Sequence, residues 1–130
     1  MATKKAKKNL PKYRAPEYIF ILDDLSDELK SPSVIKLLKN HRHFRCKTII
    51  STQYPNDLPP GGRMQMDYFI LFKDHPKKKI EEIHQNAGVS VTSDELYKIY
   101  KFATQDPYSF LFIDRAENAF RKNFNTKILT

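Results

Sequence analysis

Two neighbouring carboxylates, Asp23 and Asp24, close the apolar run Tyr18–Leu22, and a second, β-branched run ends in Thr52 and Gln53. A carboxylate fixed at the end of a rigid strand can order the water shell of a magnesium ion against phosphate oxygens. A second acid just beyond it can polarise an attacking water. A glutamine ending a neighbouring strand can hydrogen-bond a γ-phosphate or that water without adding charge. Arg42 and Arg45 lie where the first helix runs into the second strand, and Arg63 follows the Gly61–Gly62 pair. Each guanidinium could stabilise charge developing on a transferred phosphoryl group, in cis or from a neighbouring subunit. Plainer readings stand beside these: an acid pair caps a following helix, a lone glutamine caps a loop, and arginines at a helix end offset its dipole.

Such groups need strands to hold them. "YIFIL" is short, continuously apolar and rich in aromatic and β-branched residues, as a strand buried on both faces should be. "SPSVIKLLKNHRHF" reads as a helix, with Ser31 at the N-cap, Pro32 at the first helical position and Val34, Ile35, Leu37 and Leu38 on one face. "CKTIISTQ" is a second strand, and the Pro/Gly-rich "YPNDLPPGGR" forces a loop. "MDYFILFKD" is a third strand. Two helices follow: "PKKKIEEIHQNAG", closed by Gly88, and "TSDELYKIYKFATQ", opened by Thr92 or Ser93 with Glu95 completing a capping box. "YSFLFID" is a fourth strand, and "RAENAFRKNFNTKILT" reads as a surface-packed extension.

Apolar strands separated by helices describe an α/β fold, a mainly parallel sheet sandwiched by helices. In such sheets ligands bind beyond the carboxyl ends of the strands. If the strands are parallel, Asp23–Asp24, Thr52–Gln53, Lys73–Asp74 and Asp114 converge on one rim.

The chain has 130 residues and a formal charge of +8. Lys4, Lys5, Lys7, Lys8, Lys12 and Arg14 supply six of the 23 basic side chains, leaving 17 to set against all 15 acidic ones. Residues 1–16, with Pro11 and Pro16 and no apolar core, read as a disordered basic arm, and 17–130 as the folded domain. The arm could touch DNA phosphates, serve as a nuclear-import address, or simply solubilise. One cysteine, Cys46, allows no internal disulfide and suits a reducing compartment. No apolar stretch is long enough for a membrane span, and the N-terminus lacks the apolar segment of a secretory signal, so the expectation is an intracellular protein. His41, His43 and Cys46 lack the spacing of a zinc site, and His75 and His84 stand alone.

Taken in order, "YIFILDD", the helix ending in "NHRHFRC", the strand "TIISTQ", the loop "PNDLPPGGRMQMDYFILF" and the late "YKIYKFATQDPYSFLFIDRAENAFRKNF" resemble the genome-packaging ATPases of poxviruses and other large DNA viruses, in the FtsK–HerA group of P-loop motors. The likeness runs from about Tyr18 to Thr130. It implies a RecA/FtsK-like core in which Asp23 is the Walker B acid that holds magnesium through water. Asp24 is then the adjacent catalytic acid, where many relatives have Glu, and Gln53, following Thr52, is the sensor glutamine. Arg42 matches the finger that acts across subunits, with Arg63 the competing candidate. The resemblance also implies ATP and Mg2+, double-stranded DNA, a homo-oligomeric ring, and a capsid portal or vertex in a viral assembly site of the host cytoplasm or nucleus, or in the virion.

One departure is large. A phosphate loop has the pattern G-x-x-x-x-G-K-[ST], and none of Gly61, Gly62 and Gly88 begins one. The expectation is therefore the C-terminal portion of a packaging ATPase, a partial P-loop core lacking the phosphate-loop strand. Such a piece would be inactive alone and dependent on a complementing N-terminal fragment. The alternative is a non-catalytic nucleic-acid-binding protein that keeps the scaffold and uses the basic arm.

Overall fold

The computed structural model describes residues 17–128 apart from 26, 42, 44, 55 and 56. The basic arm and Arg42 thus lie outside the described residues. The chain forms two compact units, one ending at Gln53 and the other beginning at Tyr54.

In the first unit β1 (Tyr18–Asp23) and β2 (Cys46–Ser51) pair in parallel, from Tyr18 opposite Cys46 to Asp23 opposite Ser51. A parallel pair needs a crossover, supplied by a 3₁₀ turn at Glu28–Lys30 and helix α1 (Pro32–Lys39). Ser31 caps α1 as its sequence requires, its Oγ accepting the Ser33 N–H at 3.3 Å, with Pro32 next. The helix ends where Asn40 Nδ2 donates to the Lys36 carbonyl at 2.9 Å and His41 Nδ1 donates to the Leu38 carbonyl at 2.6 Å. His41 is thereby engaged as a helix terminator. Leu29, Leu38 and Cys46 are buried.

β1 itself departs from expectation. Its run is exposed on both faces, with Ile19 at 63%, Phe20 at 43% and Ile21 at 66%. Apolar, β-branched residues decide that the segment is a strand, whereas burial on both faces requires a layer on each side. Among the described residues β1 has β2 as its strand partner.

In the second unit, the short helix α2 (Pro60–Arg63) follows the proline-rich loop, and β3 (Tyr68–Leu71) follows it. Helices α3 (Lys77–Ala87) and α4 (Ser93–Ala103) come next. Gly88 closes α3 at φ 64°, the left-handed conformation that glycine adopts without strain. Thr92, not Ser93, opens α4: its hydroxyl accepts the Glu95 N–H and the Glu95 carboxylate accepts the Thr92 N–H, both at 3.2 Å.

The sheet of this unit is antiparallel, in the order β3-β4-β5-β6, with β4 at Leu111–Asp114, β5 at Ala119–Lys122 and β6 at Thr126–Ile128. The α/β class therefore holds and the parallel pairing holds for β1–β2, but "mainly parallel" does not. The last segment is a pair of strands rather than a surface extension. Its turns carry Asn118 and Asn123 at φ 51° and 54°, the left-handed positions that asparagine tolerates and tight reversals need. Antiparallel pairing also divides the expected rim. Asp114 lies opposite Tyr68, the first residue of β3, while Lys73 and Asp74 follow its other end.

The core lies on one face of this sheet. Phe69, Ile113, Phe120 and Ile128 are in register across the four strands and Leu71 faces Leu111. This row packs with Ile80, Ile83 and Ala87 of α3 and Leu96, Ile99, Tyr100 and Ala103 of α4.

Candidate functional site

The parallel register of β1 and β2 decides what stands at the end of the first unit's sheet. Asp23 lies opposite Ser51, and the next amide, that of Asp24, donates to the Ser51 carbonyl at 2.9 Å. Both chains leave the sheet at the same end, bringing Asp23, Asp24, Thr52 and Gln53 together. Asp23, Asp24 and Gln53 are exposed and Thr52 is half-buried. Asp24 sits at φ 54°, a left-handed conformation that costs most residues energy but that Asp accommodates, so the chain turns sharply straight after Asp23.

Among the described residues, no group of three or more His, Cys, Asp or Glu side chains is placed to hold a metal ion. Magnesium keeps several waters and takes one or two carboxylates plus substrate phosphates. Asp23 offers such a carboxylate, with hydroxyl oxygens of Ser51 and Thr52 on the paired strand. His41 and Cys46 are engaged locally, Cys46 Sγ lying 3.6 Å from the Lys47 carbonyl.

Arg63, the last residue of α2, belongs to the second unit. Its side chain is nine-tenths buried, and Nε and Nη1 have no hydrogen-bond partner among the described residues. A desolvated guanidinium with open donors is a receptor for a planar oxyanion. Arg42, the other finger candidate, lies outside the described residues, as do Lys4, Lys5, Lys7, Lys8, Lys12 and Arg14.

Sequence reasoning missed Arg115. From the turn after β4 its Nη1 donates to the Met64 carbonyl and, at 3.3 Å, to the Met66 carbonyl, while its own amide donates to the Asp67 carbonyl at 3.0 Å. It fixes the backbone that follows Arg63. No local signal marks it, because both carbonyls lie about fifty positions earlier in the chain.

Beyond β3, Lys73, Asp74, His75, Tyr100, Lys101, Thr104 and Gln105 line a shallow cleft of about 290 Å³. Tyr100 is its fixed point. Its hydroxyl donates to the Phe72 carbonyl at 2.6 Å and accepts the His75 N–H at 2.9 Å. Burial pushes the Tyr100 phenol up and pulls the His75 imidazole down, Lys79 adding to the fall and Asp74 opposing it.

Comparison with known proteins agrees with this architecture. The fold matches the genome packaging NTPase B204 of Sulfolobus turreted icosahedral virus 2 in complex with AMP, with TM-score 0.64 and 23% identity over 80% of this chain and 50% of that one. It also matches B204, the DNA-packaging ATPase of Sulfolobus turreted icosahedral virus, with TM-score 0.64 and 23% identity over 93% of this chain and 55% of that one. Among sequence relatives, uncharacterized protein 075L of Invertebrate iridescent virus 6 is 28% identical over 104 residues, 78% of this chain and 40% of its own length. Uncharacterized protein L437 of Acanthamoeba polyphaga mimivirus is 32% identical over 75 residues, 55% of this chain and 26% of its own. The chain thus spans less than half the length of these relatives. The poxvirus A32 protein family matches residues 1–116, nearly the whole chain, and the protein belongs to that family.

Proposed function

We propose that this chain carries the magnesium-linked and water-activating side of the ATP site of a viral genome-packaging motor. The observation that carries the reading is the β1–β2 register, which sets Asp23 against Ser51 and delivers Asp24, Thr52 and Gln53 to the same strand end. In it Asp23 would hold magnesium, Asp24 accepts a proton from the attacking water, and Gln53 orients that water. Thr52 adds a hydroxyl. Arg63 or Arg42 supplies the guanidinium that stabilises the transferred phosphoryl. Magnesium, when bound, neutralises phosphate charge.

The phosphates themselves need a cradle of backbone amides, and none of the chain's glycines begins that pattern. We assign the cradle to a complementing N-terminal portion of the ATPase, in a ring whose substrate is double-stranded DNA and whose seat is a capsid portal or vertex. The lysines of the arm contact DNA phosphates, and the motor works at an assembly site in the infected cell. The AMP complex of B204, a protein of similar fold, supports a nucleotide as the ligand.

The test is nucleotide binding. The pure chain should bind a fluorescent ATP analogue negligibly and turn over no ATP. Mixing with the N-terminal portion should create magnesium-dependent binding. ATP turnover by the isolated chain, abolished by Asp24→Asn, would overturn the division of labour.

A further inference from the structure

The turn at 106–109, between α4 and β4, carries a residue that its own backbone disfavours. Pro107 takes the second position, the Ser109 amide closes the turn on the Asp106 carbonyl at 3.2 Å, and Tyr108 stands third at φ 61°. Turn chemistry gives that left-handed position to Gly or Asn, since a bulky side chain is crowded there. Of the six described non-glycine residues at positive φ, four are Asp or Asn and Tyr108 is the only aromatic one. Anchors on both sides hold it. The Ser109 hydroxyl also donates to the Asp106 carbonyl, at 2.8 Å, and Ser109 is buried. The Asp106 carboxylate pairs with Lys122, whose ammonium lies 5.4 Å over the Phe102 ring. Just past Ser109, the Phe110 amide donates to Asn123 Oδ1 at 3.2 Å, and the Asn123 amide donates to the Phe110 carbonyl at 2.9 Å. Strain over-determined in this way points to a function for the residue that bears it.

Tyr108 is 98% exposed, against 66% for Ile21, the next of the large apolar side chains among the described residues. Almost nothing in the chain touches it, so both faces of its ring are open. The residues before it complete the setting. Gln105, three positions earlier, lines the cleft beyond β3 with Lys73 and Lys101, and three residues of backbone reach at most about 11 Å. About three nucleotides of a strand, at roughly 3.4 Å each, cover that distance. Asp74 is the one carboxylate in the cleft lining, and Asp106 is already neutralised by Lys122. A protein partner would need apolar neighbours packed around the ring. Here they are Gln105, Asp106 and Pro107, while Lys122 stands over the nearby Phe102. An open ring beside lysines is instead what an unpaired base and its phosphates require.

We propose that Tyr108 is a stacking platform for an unpaired base of single-stranded nucleic acid, with Lys73 and Lys101 taking the adjoining phosphates. The rigid turn holds the ring out before the strand arrives, so little side-chain or loop freedom is lost on binding. This site is separate from the strand end at Asp23 and Gln53, and it goes beyond duplex phosphate contacts, which need no aromatic ring.

The experiment uses the full chain and a fluorescein-labelled oligothymidylate, followed by fluorescence anisotropy. Tyr108→Gly suits φ 61° and should keep the far-UV circular dichroism while weakening binding roughly fivefold to a hundredfold. Tyr108→Asn, which also tolerates that conformation, should do the same. Tyr108→Phe should bind as the parent does. So should Tyr108→Trp, whose indole, the only one in the chain, should be quenched as the oligonucleotide saturates. Lys73→Gln and Lys101→Gln should each flatten the salt dependence by about 0.7 in slope, which Tyr108→Gly leaves alone. Oligouridylate should show the same dependence on Tyr108, because every base has a face to stack, and a blunt duplex should show none. Four results would overturn the proposal. They are an oligothymidylate affinity that Tyr108→Gly leaves unchanged, a loss in Tyr108→Phe as large as in Tyr108→Gly, an equal loss on the duplex, or self-association of the chain that Tyr108→Gly abolishes. No ATP enters these measurements, so their outcome is independent of the motor reading.

Discussion

The amide of Asp24 donates to the carbonyl of Ser51 at 2.9 Å, one residue past the last strand pair of the parallel sheet. That bond holds the turn after Asp23 against the strand that delivers Gln53. In the complemented motor, Asp24→Asn should keep the fold, since Asn tolerates φ 54° as Asp does, and should lower ATP turnover by roughly a hundredfold or more. Asp23→Asn should instead raise the magnesium concentration needed for half-maximal turnover. Steady-state kinetics against ATP and magnesium separate the two effects.

Among the described residues Arg63 Nε and Nη1 are buried donors without acceptors, an arrangement that costs stability in the isolated chain. Arg63→Met should leave the urea midpoint unchanged or raise stability by about 1 kcal/mol. The same substitution should lower turnover in the complemented motor by roughly a thousandfold if this arginine is the finger. A clear fall in midpoint would mean that the guanidinium is already satisfied.

Burial lowers the His75 pKa below 6.5, so the folded chain prefers the neutral ring. Between that lowered value and 6.5 the unfolded chain binds more protons, and stability rises with pH across the window. His75's contribution is therefore complete above pH 6.5 and lost on acidification through the folded value. Urea titrations from pH 5 to 7.5 should show a slope that His75→Gln flattens.

Tyr100→Phe removes the hydroxyl that accepts the His75 N–H and donates to the Phe72 carbonyl. The loss should cost about 1–3 kcal/mol, because both backbone groups lose a partner in a half-buried place. Amide hydrogen exchange should speed at His75 and leave the amides of β5 unchanged.

Thr92→Ala removes the hydroxyl that accepts the Glu95 N–H, one half of the α4 capping box, and leaves the backbone amide that donates to the Glu95 carboxylate. About 1 kcal/mol of stability should go with it, read as a lower thermal midpoint.

The features readable from the sequence were those set by near neighbours. Ser31 with Pro32, Thr92 with Glu95, and Gly88 each fix a helix end through residues within four positions, and the structure has each of them. The carboxylate pair at the end of β1 was legible for the same reason. Strand direction was not, since "YFIL" and "LFID" look alike whether parallel or antiparallel, and β5 mixes inward Phe120 with outward Arg121 over four residues. Arg115 was hidden because its carbonyl partners lie far back in the chain. The exposure of Ile19 and Ile21 depends on which layers surround the sheet, and no residue type in the strand encodes that.

The two sheets also differ in how soon they can form. Phe120 reaches Ile128 across a three-residue turn, whereas Tyr18 meets Cys46 only after the whole α1 crossover is in place. Hairpins close in about 1–10 μs, and pairings distant in sequence form more slowly. During synthesis β1 emerges before β2 and must wait for it, with Tyr18–Leu22 as an unpaired apolar strand in the interval. A chaperone that grips extended hydrophobic segments therefore finds a target in the stretch that ends at Asp23.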